Sequence, residues 1–450
     1  LPFANETGNA DAEYLSDGMT ETLISSLSNL PNLDVKARSS VFRYKGRETN
    51  ANTIADELNV QAFLIGKVRQ RGNELSLYIE LVEARTEKAI WSQTYNRPLM
   101  NVVTLQSEIA RDVADKLKTK LSGADERKLT KNYTENPEAY RLYLQGRFHW
   151  NKRKTEDFHK AIGFYEQAIA VDPNYALAYA GIADAYAYLA DYRSLPPRET
   201  MPKAKEAALK AVALDDQLAE AHAALGHILC DYDHNFVEAE ARYKRAIELT
   251  PNYATAHLYY AELQTWLGRF AEAEAEYQRA LELEPFSLGV NWLYAFNLYH
   301  MRRYDESIAQ ARKLLEMYPD FAWGHTIIAF NHRMKGNYAG CVEEIAKSHE
   351  LFERPEQAAF VRESFAQGGW NGYLRAMTGE HSPHNETSLI KATNYAALGE
   401  KDKAFAQLEK LYDYRTWGLI TLKVEPALDP LRDDPRFLDL LRRVGFNRRL

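Results

Sequence analysis

Pro251, Pro285 and Pro319 stand 34 residues apart, and a single pattern recurs between them. Residues 254–285 (ATAHLYYAELQTWLGRFAEAEAEYQRALELEP) read as two amphipathic helices joined at Leu267-Gly268-Arg269. His257, Tyr260, Ala261 and Gln264 mark one face of the first helix. Ala273, Tyr277 and Ala280 mark one face of the second, since spacings of three and four stay on one side of a helix. Gly268 frees the turn and Pro285 stops the second helix. One such hairpin cannot bury its apolar faces, so the period demands stacked copies.

The copies are present. Asp216 to Pro251 spans 35 residues, and Pro173 to Asp216 spans 43, with the excess in RSLPPRETMP. The second-helix triplet recurs as Ala161, Tyr165, Ala168; as Ala204, Ala208, Ala211; and as Ala239, Tyr243, Ala246. In phase over five or six units, this pattern resembles the tetratricopeptide repeat. The resemblance implies helix pairs stacked into a right-handed superhelix, with a concave groove lined by the first helix of each pair. The sixth unit, residues 322–351, departs from the pattern with Cys341, Ile345 and Ser348.

Units counted from Ala176, Ala219, Ala254, Leu288 and Ala322 turn their second, fifth, ninth and twelfth first-helix positions to the groove. These are Asp184, His227 and Glu262, then Trp292, Phe296 and Tyr299, then Trp323, Phe330 and Arg333. Trp292, Phe296 and Tyr299 share a face apart from Tyr294, Ala295 and Leu298. A row of large rigid rings on a concave surface suits a peptide or helix ligand. The competing reading is that the C-terminal region folds back and fills that part of the groove. The basic loop NKRKTED suits an acidic partner or, more simply, a solvated helix–helix turn.

Periodicity changes in residues 1–122. Leu15, Met19, Leu23, Ile24 and Leu27 form a helical stripe before Pro31, residues 33–38 read as a strand, and residues 53–58 as a short helix. Strands follow at 60–70, 74–83 and 89–95, with Arg71-Gly72-Asn73 as a hairpin turn. Leu75, Leu77, Ile79 and Leu81 alternate with polar neighbours, so one face is buried. Leu105, Ile109, Val113 and Leu117 mark a last helix at 103–121. The order gives an α+β domain, a mixed sheet with packed helices. Asp17-Gly18 reads as a polar helix start and a packing glycine rather than a catalytic acid. Arg38, Ser39 and Ser40 read as a strand-to-loop transition rather than an anion nest.

The stretches LPFAN, EYLSDGMTETLISSLS, LDVKARSSVFRYKGR, IADELNVQAFLIGKVRQRGNELSLYIELVEARTEKAIWSQTY and LQSEIARDVADKL resemble the TolB-N-terminal-like (FlgO-related) domain. That resemblance implies a bacterial one-piece signalling protein in which the domain directly precedes tetratricopeptide repeats. It also implies an effector further upstream: a receptor-type serine/threonine kinase, a class III adenylate cyclase or a winged-helix DNA-binding domain. YLSDGMTETL and PEAYRLYLQGRFHWNKR look most like the kinase-linked versions. The opening Leu1-Pro2-Phe3 looks like the end of a strand, so a fragment or processed product is expected. The resemblance places the chain on the periplasmic side, membrane-tethered only through a missing upstream anchor, while a cytoplasmic setting stays open.

The domains expected are residues 1–122, a polar linker at 123–136, about six helix pairs at 137–352, and a helical capping region at 353–450 ending in LDPLRDDPRF and an amphipathic helix with Phe437, Leu440 and Leu441. A net charge of −7 argues against nucleic-acid binding by this chain. No apolar run reaches membrane-spanning length. Cys230 and Cys341 lie two periods apart and read as separate buried thiols. His381 and His384 lack a third ligand at metal spacing. Phosphate loops, zinc-protease, nucleophile-elbow and kinase motifs are absent from these residues. The expectation is therefore a non-catalytic sensing module without cofactor or metal that binds a protein or peptide in the groove. A dimer is an open alternative, as are a scaffold subunit of a larger assembly and the regulatory half of a DNA-binding regulator.

Overall fold

The computed structural model describes all residues but 31–32, 48–49, 118–121, 124–125, 127–128, 192–194, 380–381, 383–388 and 447–450, and all side chains of the rest but that of Trp417. His381, His384 and the start of the proline-rich insertion therefore lie outside the described residues. The chain divides into two units. The first holds Leu1–Ile228, Ala241–His257 and Glu282–Pro285; the second holds Leu229–Glu240, Leu258–Leu281 and Phe286–Leu450.

The first unit opens with a four-stranded sheet in the order β1 (Ala4–Asn5), β2 (Ala62–Arg71), β3 (Glu74–Glu83), β4 (Ala89–Pro98). β1 runs parallel to β2, and the other pairs are antiparallel. Val68, Leu77 and Tyr95 are cross-strand neighbours and all buried, as the alternation in β3 demands. Helices α1 (Glu13–Ser28) and α4 (Val102–Lys116) pack together, the first also touching β2 and the second β4. They bury Leu15, Met19 and Leu23, and Leu105, Ile109 and Val113. Each such side chain contributes roughly 1.5–3 kcal/mol of burial. Between them come α2 (Arg38–Phe42) and α3 (Ala51–Leu58).

Residues 33–37 are not a strand. They run extended without a ladder partner, and α2 begins at Arg38. Two of their backbone groups are satisfied elsewhere in the unit. Asn252 Nδ2 donates to the Leu33 carbonyl at 2.9 Å, and the Ala37 amide donates to the Leu283 carbonyl at 3.3 Å. Lys36 Nζ donates to the Glu282 carbonyl at 2.8 Å and Ser39 Oγ to Glu284 at 2.9 Å. A buried or docked backbone must be hydrogen-bonded somewhere, and here the helix-pair ends do what a neighbouring strand would have done.

The helix pairs follow: α5 (Pro137–Trp150) with α6 (Thr155–Val171), α7 (Ala176–Asp191) with α8 (Pro197–Leu214), α9 (Ala219–Asp231) with α10 (Phe236–Leu249), and α11 (Ala254–Trp266) with α12 (Phe270–Leu283). Then come α13 (Leu288–His300) with α14 (Tyr304–Met317) and α15 (Ala322–Met334) with α16 (Tyr338–Leu351). Asn136 caps α5 by accepting from the Glu138 and Ala139 amides, with Pro137 at the first helical position. The repeated small residues explain the packing. Tyr165 is fully buried between α5 and α7, and a methyl group added at Gly181 would stand 2.7 Å from its ring. Part of the proline-rich insertion is helical, because Pro197 opens α8 and Pro202 lies within it.

In the first unit the sheet domain is docked on α5. Gly18 lies against Leu144, and Thr22 Oγ1 is 3.1 Å from the Tyr140 hydroxyl, which also donates to Gln106. Asp17 is buried and ion-paired with Lys45.

In the second unit the C-terminal region supplies α17 (Pro355–Thr378, broken at Gly369), α18 (Leu389–Ala397), α19 (Lys401–Tyr414) and α20 (Pro435–Arg443). The segment between α19 and α20 is deeply buried at Leu419, Ile420, Leu422, Leu428 and Leu431. Lys423 Nζ donates to the Leu267 carbonyl at 2.7 Å, beside the Gly268 turn, whose positive φ no β-branched residue would hold. Past α20, Phe446 stacks on Phe236 with ring centroids 4.8 Å apart.

Candidate functional site

The first unit carries Asp184 and His227. Asp184 is half-buried on α7, and His227 on α9 is buried with Nε2 3.6 Å from Asp191 Oδ2. Burial pushes the Asp184 carboxyl up to about 6, against the pull of Arg147, His227 and Arg153 and with the help of Glu220. A folded-state value above the unfolded one means that the folded protein binds the extra proton, so stability falls as pH rises between about 4 and 6. Asp184→Asn is therefore expected to raise stability at neutral pH by about 1–2 kcal/mol and to flatten that slope, as read by urea unfolding on either side of pH 6.

Next to Asp184 lies an ion network that the repeat phase alone does not reveal. Glu21 of α1 accepts Arg147 Nε at 2.8 Å through one oxygen and Asn151 Nδ2 at 2.8 Å through the other. Arg38 Nε stands 3.3 Å from the same carboxylate. Burial alone would raise Glu21, yet Arg147 and Arg38 hold it below the usual carboxylate range. The NKRKTED loop folds back onto aromatic rings, with Arg153 3.6 Å from the Trp150 ring centroid and 4.5 Å from that of Tyr188.

The second unit carries the other candidates. Glu262 is half-buried on α11. Phe296 and Tyr299 on α13 are interior residues, with 8% and 2% exposure. The Tyr299 hydroxyl donates to Glu425 Oε1 at 2.5 Å, and the Ala427 amide donates to the same oxygen at 2.9 Å. His300 is fully buried, its Nδ1–H donating to the Phe296 carbonyl at 2.9 Å and its Nε2 lying 3.6 Å from Glu425 Oε2. Phe296 packs edge-on to Trp266 and His300. Tyr299 is thus held by Glu425 of the C-terminal region, while Phe296 lies among Trp266, Tyr299 and His300. Phe330 is half-buried, 5.9 Å from Tyr299. Arg333 donates to Asn394 Oδ1 at 2.8 Å and to the Thr393 carbonyl at 2.9 Å, tying α15 to α18.

Trp292 and Trp323 behave differently. Trp323, second in α15, is 41% exposed, and Trp292 is half-buried. Their ring centroids are 6.4 Å apart, and Phe321 and Phe352 extend the row at 6.1 Å from Trp292 and 5.5 Å from Trp323. Phe321 and Phe352 escaped the sequence reading because both lie in turns, where helical phase gives no signal.

A tetratricopeptide-repeat family profile matches residues 232–288, and a profile for the second domain of HilA/YgeH-like transcriptional regulators matches residues 1–112. A putative adenylate cyclase 3 of Rhizobium meliloti is 30% identical over 183 residues, 41% of this chain and 31% of that protein. The transcriptional regulator HilA of Salmonella typhimurium is 23% identical over 209 residues, 46% of this chain and 37% of that protein. The matched part of the chain thus spans about a third of the length of these relatives. Among solved structures, PilW, a type IV pilus biogenesis factor, aligns with a TM-score of 0.39 at 20% identity, covering 48% of this chain and 98% of that one. The thermophilic repeat protein TTC0263 of Thermus thermophilus aligns at 0.36 and 20%, covering 45% and 98%. The chain is a small mixed-sheet domain followed by a tetratricopeptide-type helical solenoid, an architecture built for protein–protein contact and scaffolding.

Proposed function

We propose that this chain is the partner-sensing part of a bacterial signalling protein, holding a protein or peptide segment against the first helices of its repeats. The observation that carries the reading is the ring row of Trp292, Phe321, Trp323 and Phe352. A tryptophan 41% exposed within a contiguous aromatic row is a feature of contact surfaces, because water contact there is costly. Groove position Glu262, in the same unit as the ring row, adds a polar contact. Resemblance of the first domain to TolB-N-terminal-like domains, and relatives named for a cyclase and a transcriptional regulator, support relay of occupancy to a separate effector: a kinase, a cyclase or a DNA-binding domain. In this reading the module works outside the cytoplasm, tethered to the membrane by another part of the protein.

A photo-reactive benzoylphenylalanine placed at Trp323 in the bacterium of origin tests the reading. A discrete cross-linked polypeptide, lost when the probe is moved to Lys313 on exposed α14 surface, is the expected result. Cross-links to nothing, or equally from both positions, would sink it. The match of residues 1–112 to a regulator domain favours a second reading, the regulatory half of a DNA-binding protein. In that case the cross-linked partner is a transcription component.

A further inference from the structure

We propose that the ring row takes a cationic segment of its partner: an arginine or lysine side chain laid on the open face of Trp323, beside an apolar residue seated against Trp292 and Phe321. The inference rests on the reading of this row as a contact surface and adds the chemistry of what binds.

The rings are arranged for it. Trp323 meets Phe352 edge-on at 75°, and Trp292 meets Phe321 edge-on at 78°, so the row is not one stacked column with every face covered. Indole is the strongest aromatic acceptor of a cation among the side chains. The chain already uses this chemistry one step along the row, where the Arg354 guanidinium lies 5.6 Å from the centroid of Phe352. Trp323 has the greatest exposure of the four rings and no such cation assigned to it among the described residues.

The charge around the row points the same way. Asp320 precedes Phe321, and Glu316 lies one turn earlier at the end of α14. Glu353 follows Phe352, and Glu356 opens α17. All four carboxylates are exposed, and none makes an ion pair among the described residues. Glu350, by contrast, is engaged by Arg362 at 2.6 Å. Unpaired acids flanking an aromatic row attract a basic segment and repel phosphate, so a nucleic-acid backbone or an anionic membrane is disfavoured here. The apolar rings supply short-range contact; the acids supply steering and sign.

The test is selection of a random dodecapeptide phage library on the immobilised full chain, followed by affinity measurement with the recovered peptides. Peptides pairing Arg or Lys with Leu, Phe or Trp are expected. Trp323→Asp should weaken them about tenfold or more without altering the circular dichroism spectrum. The double variant Asp320→Lys/Glu353→Lys should weaken them about tenfold at low salt and lose that effect at high salt. Recovery of acidic or uncharged peptides, of no peptides, or of basic peptides indifferent to both variants would overturn the proposal. Failure of the contact-surface reading is distinguishable, because it appears as absence of a cross-linked partner at Trp323. A cross-linked partner bound through an acidic segment leaves that reading standing and removes this one.

Discussion

Glu425→Ala is expected to destabilise the second unit by about 3–5 kcal/mol, the largest loss anticipated for a single carboxylate there. The residue is 5% exposed, and its carboxylate faces three groups at once. Tyr299 and the Ala427 amide both donate to Oε1, and Oε2 faces His300 Nε2. Because His300 Nδ1 already donates to the Phe296 carbonyl, the contact between Nε2 and Oε2 is attractive only when Nε2 also carries a proton. Truncation leaves a buried hydroxyl and a buried amide without their acceptor, each costing about 1–3 kcal/mol, and removes the carboxylate that faces His300. Glu425→Gln keeps an acceptor oxygen for Tyr299 and should lose less than half as much. The pH dependence has a definite sign. Burial would raise the carboxyl, but His300, Tyr299 and the Ala427 amide hold it below the usual carboxylate range. A depressed folded value gives stability that is complete above the unfolded carboxylate range and is lost as pH falls through the folded one. Acid titration of the tryptophan fluorescence, with Trp266 packed edge-on to His300 at 5.3 Å, reads that loss. An alanine variant as stable as the wild type between pH 3 and pH 8 (about the span of carboxylate and histidine titration) would show that the contact contributes nothing.

Glu21→Ala is expected to cost the first unit about 2–4 kcal/mol and to loosen the sheet domain on α5. The carboxylate is 18% exposed, and the two guanidiniums beside it, Arg38 and Arg147, have side chains 25% and 20% exposed. Removing the anion leaves two cations close together in a poorly hydrated place, which is worse than never having buried the pair. Glu21→Leu with Arg147→Leu should recover a large part of the loss, since the double change removes the unpaired charge and supplies apolar contact. Amide exchange in α1 and α5 is the measurement. Faster exchange in both helices is expected for the single variant. Unchanged exchange there would mean that apolar contacts such as Leu144 against Gly18 hold the junction alone. Glu21 is also depressed below the ordinary carboxylate range, so this junction weakens as the pH falls through its folded value.

What was legible in the sequence follows from where each residue finds its partner. Tyr165 packs between neighbouring helices against Gly146 and Gly181, so the periodic triplet Ala161, Tyr165, Ala168 marked a buried face from the sequence. The alternation in β3 was equally local, because β2 and β4 adjoin it in the chain. Residues 33–37 alternate like a strand yet form none, since their partners Asn252 and Leu283 lie more than two hundred positions away. Phe296 and Tyr299 illustrate the same limit at the candidate site. Their helical phase sets them apart from the packing set, but Tyr299 is held by Glu425, 126 residues further on, and Phe296 lies among Trp266, Tyr299 and His300. No periodicity links Tyr299 to Glu425. Trp323 stays exposed although it occupies an equivalent class of position.

The bonds between the segment after α1 and the ends of the repeats also set a timetable. Asn29 bonds to Thr250 across 221 positions, and Lys36 to Glu282 across 246. A ribosome adding roughly 5–20 residues per second takes on the order of ten seconds to a minute to deliver those partners. Through that interval the Leu33 carbonyl and the Ala37 amide have only water or a chaperone to bind. The first unit is thus closed from its far end, and the segment that joins α1 to α2, though made long before its partners, is among the last pieces to be fixed in place.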